Sequence, residues 1–512
     1  MSGRITQGAD ITADVAERCD VCIIGSGAGG AVLAAGLVEQ GLDVVMLEAG
    51  GYHTRRDFDL NEGRAYPMLY QERGGRATKD LAINILQGRS VGGSTTVNWT
   101  TCFRTPERIL QHWETTHGIE GLDAQTLDPH FTAIEERLNI NAWPEQAANP
   151  NNRSLLDGAR SLGWEAGPLR RNVRGCANSG FCGVGCPVDG KQAMHVTYIP
   201  DAIAGGMRLY SDVEVRNIET DGARAVTVRG RVMQRGRSVD APYTVTVRPK
   251  VVAVCGGAIN SPALLLRSGL DFNGRTGKRT FIHPVIAVLG KYAQKIEPYY
   301  GAPQSIGSHQ FFDRGEKMGF FLEASPMQPM LASTAFTNFG AEMERYMRDL
   351  PYVSGLLALH VDGLLPGDEG GTVTALPDGR IDLDYPITPR LQEAMRASHE
   401  VLMRVHLAAG AQYTGTLHQK SLFAYTEDDL RALDRLEYGA HKHAMFSAHQ
   451  MGGCSMGPDP ETAVVRPDHR HHRIENLFVV DGSVLPTSLG VNPSQTIYSL
   501  AHRARHFVGT SV

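Results

Sequence analysis

DVCIIGSGAGGAVLAAGLVEQGLDVVMLE, residues 20–48, reads as one complete βαβ unit. Asp20 to Ile24 is a short apolar run of the buried-strand kind, a glycine turn follows at once, and Ala31 to Gly41 has a helical apolar pattern. A second apolar run, Asp43 to Leu47, closes the unit and ends in Glu48. Gly25, Gly27 and Gly30 stand at the spacing G-x-G-x-x-G. There the first glycine permits a tight turn, the second lets a pyrophosphate approach the backbone, and the third lets helix and strand pack closely. The helix N-terminus behind them favours phosphate charge. Glu48 stands where a carboxylate accepts both hydroxyls of an adenosine ribose. A dinucleotide-binding domain is predicted, and the fingerprint alone does not separate NAD from FAD.

Outward from this unit, KVVAVCGGAINSPALLLRSGL, residues 250–270, repeats the order of apolar run, glycine pair and helix, so a parallel sheet resumes after a long excursion. Between them, residues 208–250 alternate apolar and polar (LYSDVEVRNIE, AVTVRGRVM, YTVTVRPK) and predict an antiparallel meander. From about 285 to 440 the texture changes to strands with hairpin signals, such as GTVTALPDGRIDLDY with its Asp378-Gly379 turn. A long helix is predicted there, opening at Thr388-Pro389 and stopping at Gly410. The expected organisation is a first domain in two pieces, 1–284 and 441–512, around a substrate-binding domain at 285–440. HRHHR, residues 469–473, reads as a solvated basic loop.

Composition sets the outer limits. With 512 residues, 42% hydrophobic and 21% charged, the chain is globular, and a net charge of −5 supplies no footprint for nucleic acid. Its expected partners are small molecules. Residues 1–18 are polar and carry acids without the apolar run of an export signal, and no run of about 18 apolar residues suggests a membrane span. A cytoplasmic location is expected, with peripheral membrane attachment left open. Eight cysteines in such a chain argue against a disulfide framework. Cys19 and Cys22 fall on the first buried strand and read as core packing.

Five blocks in order resemble the glucose-methanol-choline (GMC) oxidoreductase family: CDVCIIGSGAGGAVLAAGL from 19, GRSVGGSTTVNW from 88, CGGAINSPALLLRSGL from 255, SAHQMGGCSMG from 447 and LFVVDGSVLPTSLGVNPSQTIYSLAHR from 477. PMLYQERGG, NWTTCFRTPERIL and CGVGCPVDGKQ look most like the long-chain alcohol oxidase branch. The resemblance implies an α/β fold: a Rossmann-like FAD-binding domain with parallel sheet and β-meander, plus an α+β substrate-binding domain with an antiparallel sheet. It implies FAD contacts at Gly25, Gly27, Ala28, Gly30, Glu48 and Ala49, and at Gly92, Gly93, Thr95 and Asn98 of the second block. It further implies Val215 against adenine through its backbone, Asp481 and Gly482 near the pyrophosphate and ribityl chain, and Asn492, Pro493 and Thr496 in the last block. Some family members attach FAD through a histidine in the second block; here that position is Val97, so non-covalent FAD is expected.

Oxidising an alcohol to a carbonyl removes a hydroxyl proton and a hydride from one carbon, so a base must reach the oxygen while the flavin faces the carbon. His449, in SAHQMGGC, occupies the family's base position, and histidine suits that task near neutral pH. Asn492 precedes Pro493 and a helical pattern; its amide can donate to the substrate oxygen, and the helix start favours negative charge. The reaction expected is FAD-dependent oxidation of a hydrophobic alcohol to an aldehyde or ketone. The electrons pass to oxygen or, in the rival reading, to another acceptor; a lyase or photodecarboxylase on the same fold is the second rival. His283 reads either as a cavity residue or as a structural residue at a domain boundary. Cys176, Cys182 and Cys186, in RGCANSGFCGVGCPVDG, leave three readings open: an iron-sulfur cluster, free thiols in a structural loop, or a disulfide or other metal.

Overall fold

The computed structural model describes residues 3–234 and 240–512. Two sheets organise it. The first has eight strands, in the order Arg4–Thr6, Arg208–Tyr210, Val44–Leu47, Val15–Ile24, Asp240–Val254, Ala225–Met233 and Val213–Thr220, with Leu477–Val479 also pairing with Asp240–Val254. Val21–Ile24 lies parallel to Val44–Leu47 on one side and to Val251–Val254 on the other. These central strands are apolar throughout because both faces are covered. Helix Ala28–Glu39 covers one face, itself packed between helices Tyr198–Ala204 and Ser494–Gly509. Its buried residues run all round its circumference, as a helix enclosed on every side requires.

The helix begins at Ala28, three residues before the sequence pattern suggested, because Gly27 already serves as its cap. Gly30 then lies in the first turn, where a Cβ would stand 2.0 Å from the Gly25 carbonyl oxygen. The meander is antiparallel over Val213–Thr220, Ala225–Met233 and the first half of Asp240–Val254. Its predicted first member differs: Arg208–Tyr210 runs parallel to Val44–Leu47. The alternation of that short stretch is weak, since all three residues are buried on both sides. Residues 235–239, inside the predicted meander, lie outside the described residues.

The second sheet has nine strands, in the order Phe423–Ala424, Tyr413–Thr416, Val285–Lys291, Val353–His360, Phe320–Ala324, Ile306–Ser308 and Gly167–Pro168, extended by Phe446–Ser447 and Asn84–Ile85. It draws two of its strands from before residue 285. Helices Pro150–Ser161 and Pro389–Ala408 pack on one face. The longer helix is capped by Thr388, whose side chain accepts from Leu391 N–H, and Gly410 beyond its end has a positive φ of 87°. Side-chain alternation divides the strands: Phe320, Leu322 and Ala324 join the core under the helices, while Phe321 joins Val285, Ala287, Leu357 and Leu359 on the opposite face. That opposite face meets the first sheet.

The expected solvated loop at 469–473 is partly buried. His469 and His471 are 0% and 4% exposed. His469 Nδ1 meets Val479 O at 3.0 Å, and His471 Nδ1 accepts from the Arg473 and Ile474 N–H groups. Charge pattern alone missed this because the rings serve as local backbone partners.

Candidate active site

A cavity of about 1180 Å³ runs between the two sheets. Of the residues expected at the site, Gly25, Gly27, Ala28, Glu48, Ala49, Gly93, Thr95, Asn98, Val215, Asp481, Gly482, Asn492, Pro493 and His449 all line it. They come from strand ends and turns hundreds of residues apart in sequence. Three expected contacts stand behind the wall instead. Gly30 packs on the Gly25 carbonyl, Gly92 makes the turn with φ 95° and donates to Ser26 Oγ, and Thr496 pairs with Thr105 Oγ1 at 2.9 Å.

One end of the cavity is built from backbone. A Cβ on Gly93 would stand 2.7 Å from Gly27 Cα, so the two glycines let the second block pass directly over the fingerprint turn. Glu48 accepts from Ser26 N–H at 2.9 Å, Ser26 Oγ at 2.7 Å and Gly50 N–H at 2.7 Å, which fixes it at the strand tip while burial raises its pKa. Asp481 accepts from Gly257 N–H at 2.8 Å, Ser261 Oγ at 2.5 Å, Ser483 N–H at 2.8 Å and Ser483 Oγ at 2.5 Å. It thereby ties the return segment to the second glycine turn. The buried Asn98 Oδ1 and Gln450 Nε2, both on cavity-lining residues, have no protein partner. A glycine-paved slot, a carboxylate at its strand tip and orphaned polar atoms further along fit a dinucleotide cofactor of the FAD kind. Val97, buried on the same wall, offers no nucleophile for a covalent bond to the ring.

At the other end His449 and Asn492 meet. His449 Nε2 is 3.2 Å from Asn492 Nδ2, and burial lowers the His449 pKa to about 4. The imidazole is therefore neutral at physiological pH, the form a proton acceptor needs. Asn492 is positioned by the turn before helix Ser494–Gly509; Pro493 itself is the cap residue, so Asn492 sits one residue further out than an N-cap.

The pair is held from behind. His283 Nδ1 is 3.2 Å from His449 Nδ1, and Gly490 N–H donates to His283 Nε2 at 3.2 Å. The Asp362 carboxylate accepts from the Ile282 and His283 N–H groups at 2.8 and 3.1 Å and from Tyr385 Oη at 2.7 Å, which pins the backbone there. His283 does not line the cavity; it is fully buried and braces the residue that does.

The three clustered cysteines lie elsewhere. All eight cysteines are free thiols, and among the described residues no three His, Cys, Asp or Glu side chains are grouped so as to hold a metal ion. The reading in which Cys176, Cys182 and Cys186 share a cluster thus finds no assembled ligand set, and neither does the disulfide reading. The loop is organised around Lys191, which sequence reasoning missed. Its buried ammonium donates to the carbonyls of Thr96, Asn98 and Cys182 at 2.6, 3.0 and 2.8 Å, and burial lowers its pKa to about 8. Lys191 therefore fastens the cysteine loop to the cavity-lining Thr96–Asn98 segment.

Comparison with known proteins agrees with this arrangement. Residues 66–285 and 368–501 match the N- and C-terminal parts of the GMC oxidoreductase family, more than half of the chain. An uncharacterized GMC-type oxidoreductase of Mycobacterium tuberculosis, Rv0492c, is 32% identical over 489 residues, 94% of this chain and 75% of that protein. The long-chain-alcohol oxidase FAO4A of Arabidopsis thaliana is 29% identical over 98% of this chain and 70% of its own length. Among solved structures, pyridoxine 4-oxidase from Mesorbium loti superposes with a TM-score of 0.71 at 21% identity, covering 96% of this chain and 99% of that one. A formate oxidase gives 0.70 at 14% identity, covering 97% and 99%. The chain belongs to the GMC oxidoreductase family and is an FAD-dependent enzyme acting on CH–OH donors.

Proposed function

We propose that this enzyme oxidises a hydrophobic alcohol to an aldehyde or ketone, with His449 taking the hydroxyl proton and Asn492 holding the oxygen. The observation that carries the reading is the 3.2 Å contact of the two side chains on the cavity wall. When bound, FAD supplies the hydride acceptor. Everything else falls to the chain. The neutral His449 ring can accept the proton as the carbon is oxidised, and the Asn492 amide can donate to the same oxygen, which keeps the carbon aimed at the cofactor side. Gly25, Gly27, Glu48, Asn98 and Asp481 are the residues assigned to hold the cofactor, without a covalent bond because Val97 stands at the attachment position. In this reading 1–284 and 441–512 hold the flavin and 285–440 the substrate.

Beyond the pair, Val285, Ala287, Leu289, Met327, Leu331, Phe336, Leu357 and Leu417 line the cavity, so an apolar chain can lie there without stranding polar groups. This is the basis for a hydrophobic substrate, and the relatives named long-chain-alcohol oxidases support the same choice. The cysteine loop is read as a structural brace for residues 96–98. Mixing purified enzyme anaerobically with aliphatic, aromatic, terpenoid and steroid alcohols tests the proposal. Bleaching of the flavin by hydrophobic alcohols and not by short polar ones is expected; no bleaching by any alcohol would overturn it. Repeating the screen in air with peroxide detection assigns the electron acceptor, and iron and sulfide analysis tests the reading of the cysteine loop.

A further inference from the structure

Glu323 is the one acid on the cavity-facing side of strand Phe320–Ala324 and is 1% exposed. It lies against the Asn492 amide, one layer behind the cavity wall. Neither of its carboxylate oxygens has a hydrogen-bond partner, and the Asn492 Oδ1 is also buried and unpartnered. As an ionised acid, Glu323 would be a buried charge with only the neutral Asn492 amide beside it, at a cost of several kcal/mol. One proton resolves all of this. A protonated carboxyl donates its O–H to an amide oxygen and accepts from the same amide's N–H, so the two side chains become complementary.

We propose that Glu323 is a positioning residue for the reaction: an uncharged carboxylic acid that grips the Asn492 amide from behind and fixes the direction in which it meets the reacting oxygen. The inference rests on the proposed role of Asn492. No charged group compensates the acid. The titratable groups around its strand are His283, His309, His360 and His449, whose pKa values burial lowers, and Arg153, Asp157 and Arg160 of helix Pro150–Ser161, which packs on the opposite face. The cations around it are engaged with their own acids, Lys291 with Asp349, Arg314 with Glu393, Arg153 with Asp157 and Arg160 with Glu145. Burial accordingly pushes the Glu323 pKa up to about 8, so the acid is neutral at pH 7 and ionises just above. Ionised, it would claim the amide N–H for itself and turn it from the substrate. A glutamine in its place reproduces the amide pairing without a titrating proton; a leucine does not.

The test uses the FAD-loaded enzyme and its Glu323→Gln and Glu323→Leu variants. Infrared spectra should show a protonated carboxyl band that disappears with a midpoint near pH 8 and is missing from Glu323→Gln. Stopped-flow flavin reduction should fall above that pH in the unmodified enzyme and stay level in Glu323→Gln. At pH 7 Glu323→Gln should reduce within about threefold of the unmodified rate, and Glu323→Leu roughly tenfold more slowly, as for a weakened positioned donor. The melting temperature of Glu323→Gln should exceed that of the unmodified enzyme by more at pH 8 than at pH 6, because the unfolded chain gives up this proton near pH 4.5 and the folded one holds it. An identical pH profile in Glu323→Gln, or no titrating carboxyl band, overturns the proposal. Should Glu323→Leu fail to fold, the Gln profile decides. Should no alcohol reduce the flavin, the proposed function fails, and the infrared and melting data still judge Glu323.

Discussion

The two ends of the cavity are made of different material. The fingerprint end presents backbone: Gly25, Gly27 and Gly93, with single polar side chains such as Glu48 and Asp481 locked by hydrogen bonds to neighbouring turns. The far end presents side chains: His449 and Asn492 from turns of the return segment, two buried titratable groups behind them, and apolar residues, several from the second sheet, around them. Backbone surfaces tolerate almost no added atom, so substitutions there should act in an all-or-none manner. Side-chain surfaces can be trimmed, so substitutions there should act by degrees and separate binding from chemistry.

The sharpest contrast is expected from Gly30→Val. Its Cβ would meet the Gly25 carbonyl oxygen at 2.0 Å, and the branched side chain cannot be accommodated, so purified protein should carry essentially no FAD by absorbance. Normal flavin content would break the distinction between the two ends. His449→Ala should keep its flavin and lose about 10²–10⁴ in the rate of flavin reduction. Asn492→Ala should lose about 10²–10³ by the same stopped-flow measurement. If either variant instead lost its flavin, its side chain would belong with the cofactor cradle.

Acid should loosen both ends next. Buried histidines with pKa values depressed by burial stand on both sides of the cavity: His360, His406, His418 and His443 at about 4 and His283 and His399 well below the ordinary value around the second sheet, and His195 at about 3 with His469 and His471 at about 4 on the fingerprint side. Their folded values lie below the unfolded value of about 6.5, so the stability they contribute is present above that pH and is lost as pH falls toward 4. The contribution of these histidines to the melting temperature should be level from pH 8 to 7 and then decline, while Glu323 and Asp362, whose pKa values burial raises to about 8 and about 7, contribute in the opposite sense. Hydrogen exchange at pH 5 should show protection falling in both sheets, and a loss confined to one of them would refute this reading. The smallest effect belongs to Leu357→Ala on the apolar wall. It should raise KM for long-chain alcohols by about tenfold and leave the limiting rate of flavin reduction nearly unchanged.

Legibility followed the same division. The fingerprint end is contiguous in sequence, since Gly25 to Glu48 carries a turn, a helix start and an acid at the second strand tip within one βαβ unit, and spacing alone expresses that pattern. His449 and Asn492 were legible as separate motifs, and only folding placed them 3.2 Å apart. His283 is legible only as either a cavity residue or a structural residue at a domain boundary, and Glu323 is not legible at all. Each stands more than 160 residues from the side chain it supports, in a strand or turn with an ordinary apolar pattern. Strands Asn84–Ile85 and Gly167–Pro168 are two residues long and join the second sheet from outside the expected domain range. No periodicity survives in so short a segment.

The sequence by itself determined the family, the βαβ unit with its glycine turn, and the residue types available for moving a proton and holding an oxygen. Local spacing dictates backbone turns and helix starts, so these needed no tertiary information. Only the tertiary structure decided which side chains stand behind His449 and Asn492, that the cysteine loop is built around Lys191, and that a buried acid faces the Asn492 amide. Those are consequences of burial and of partners distant in sequence, and both come into being when the second sheet closes over the first.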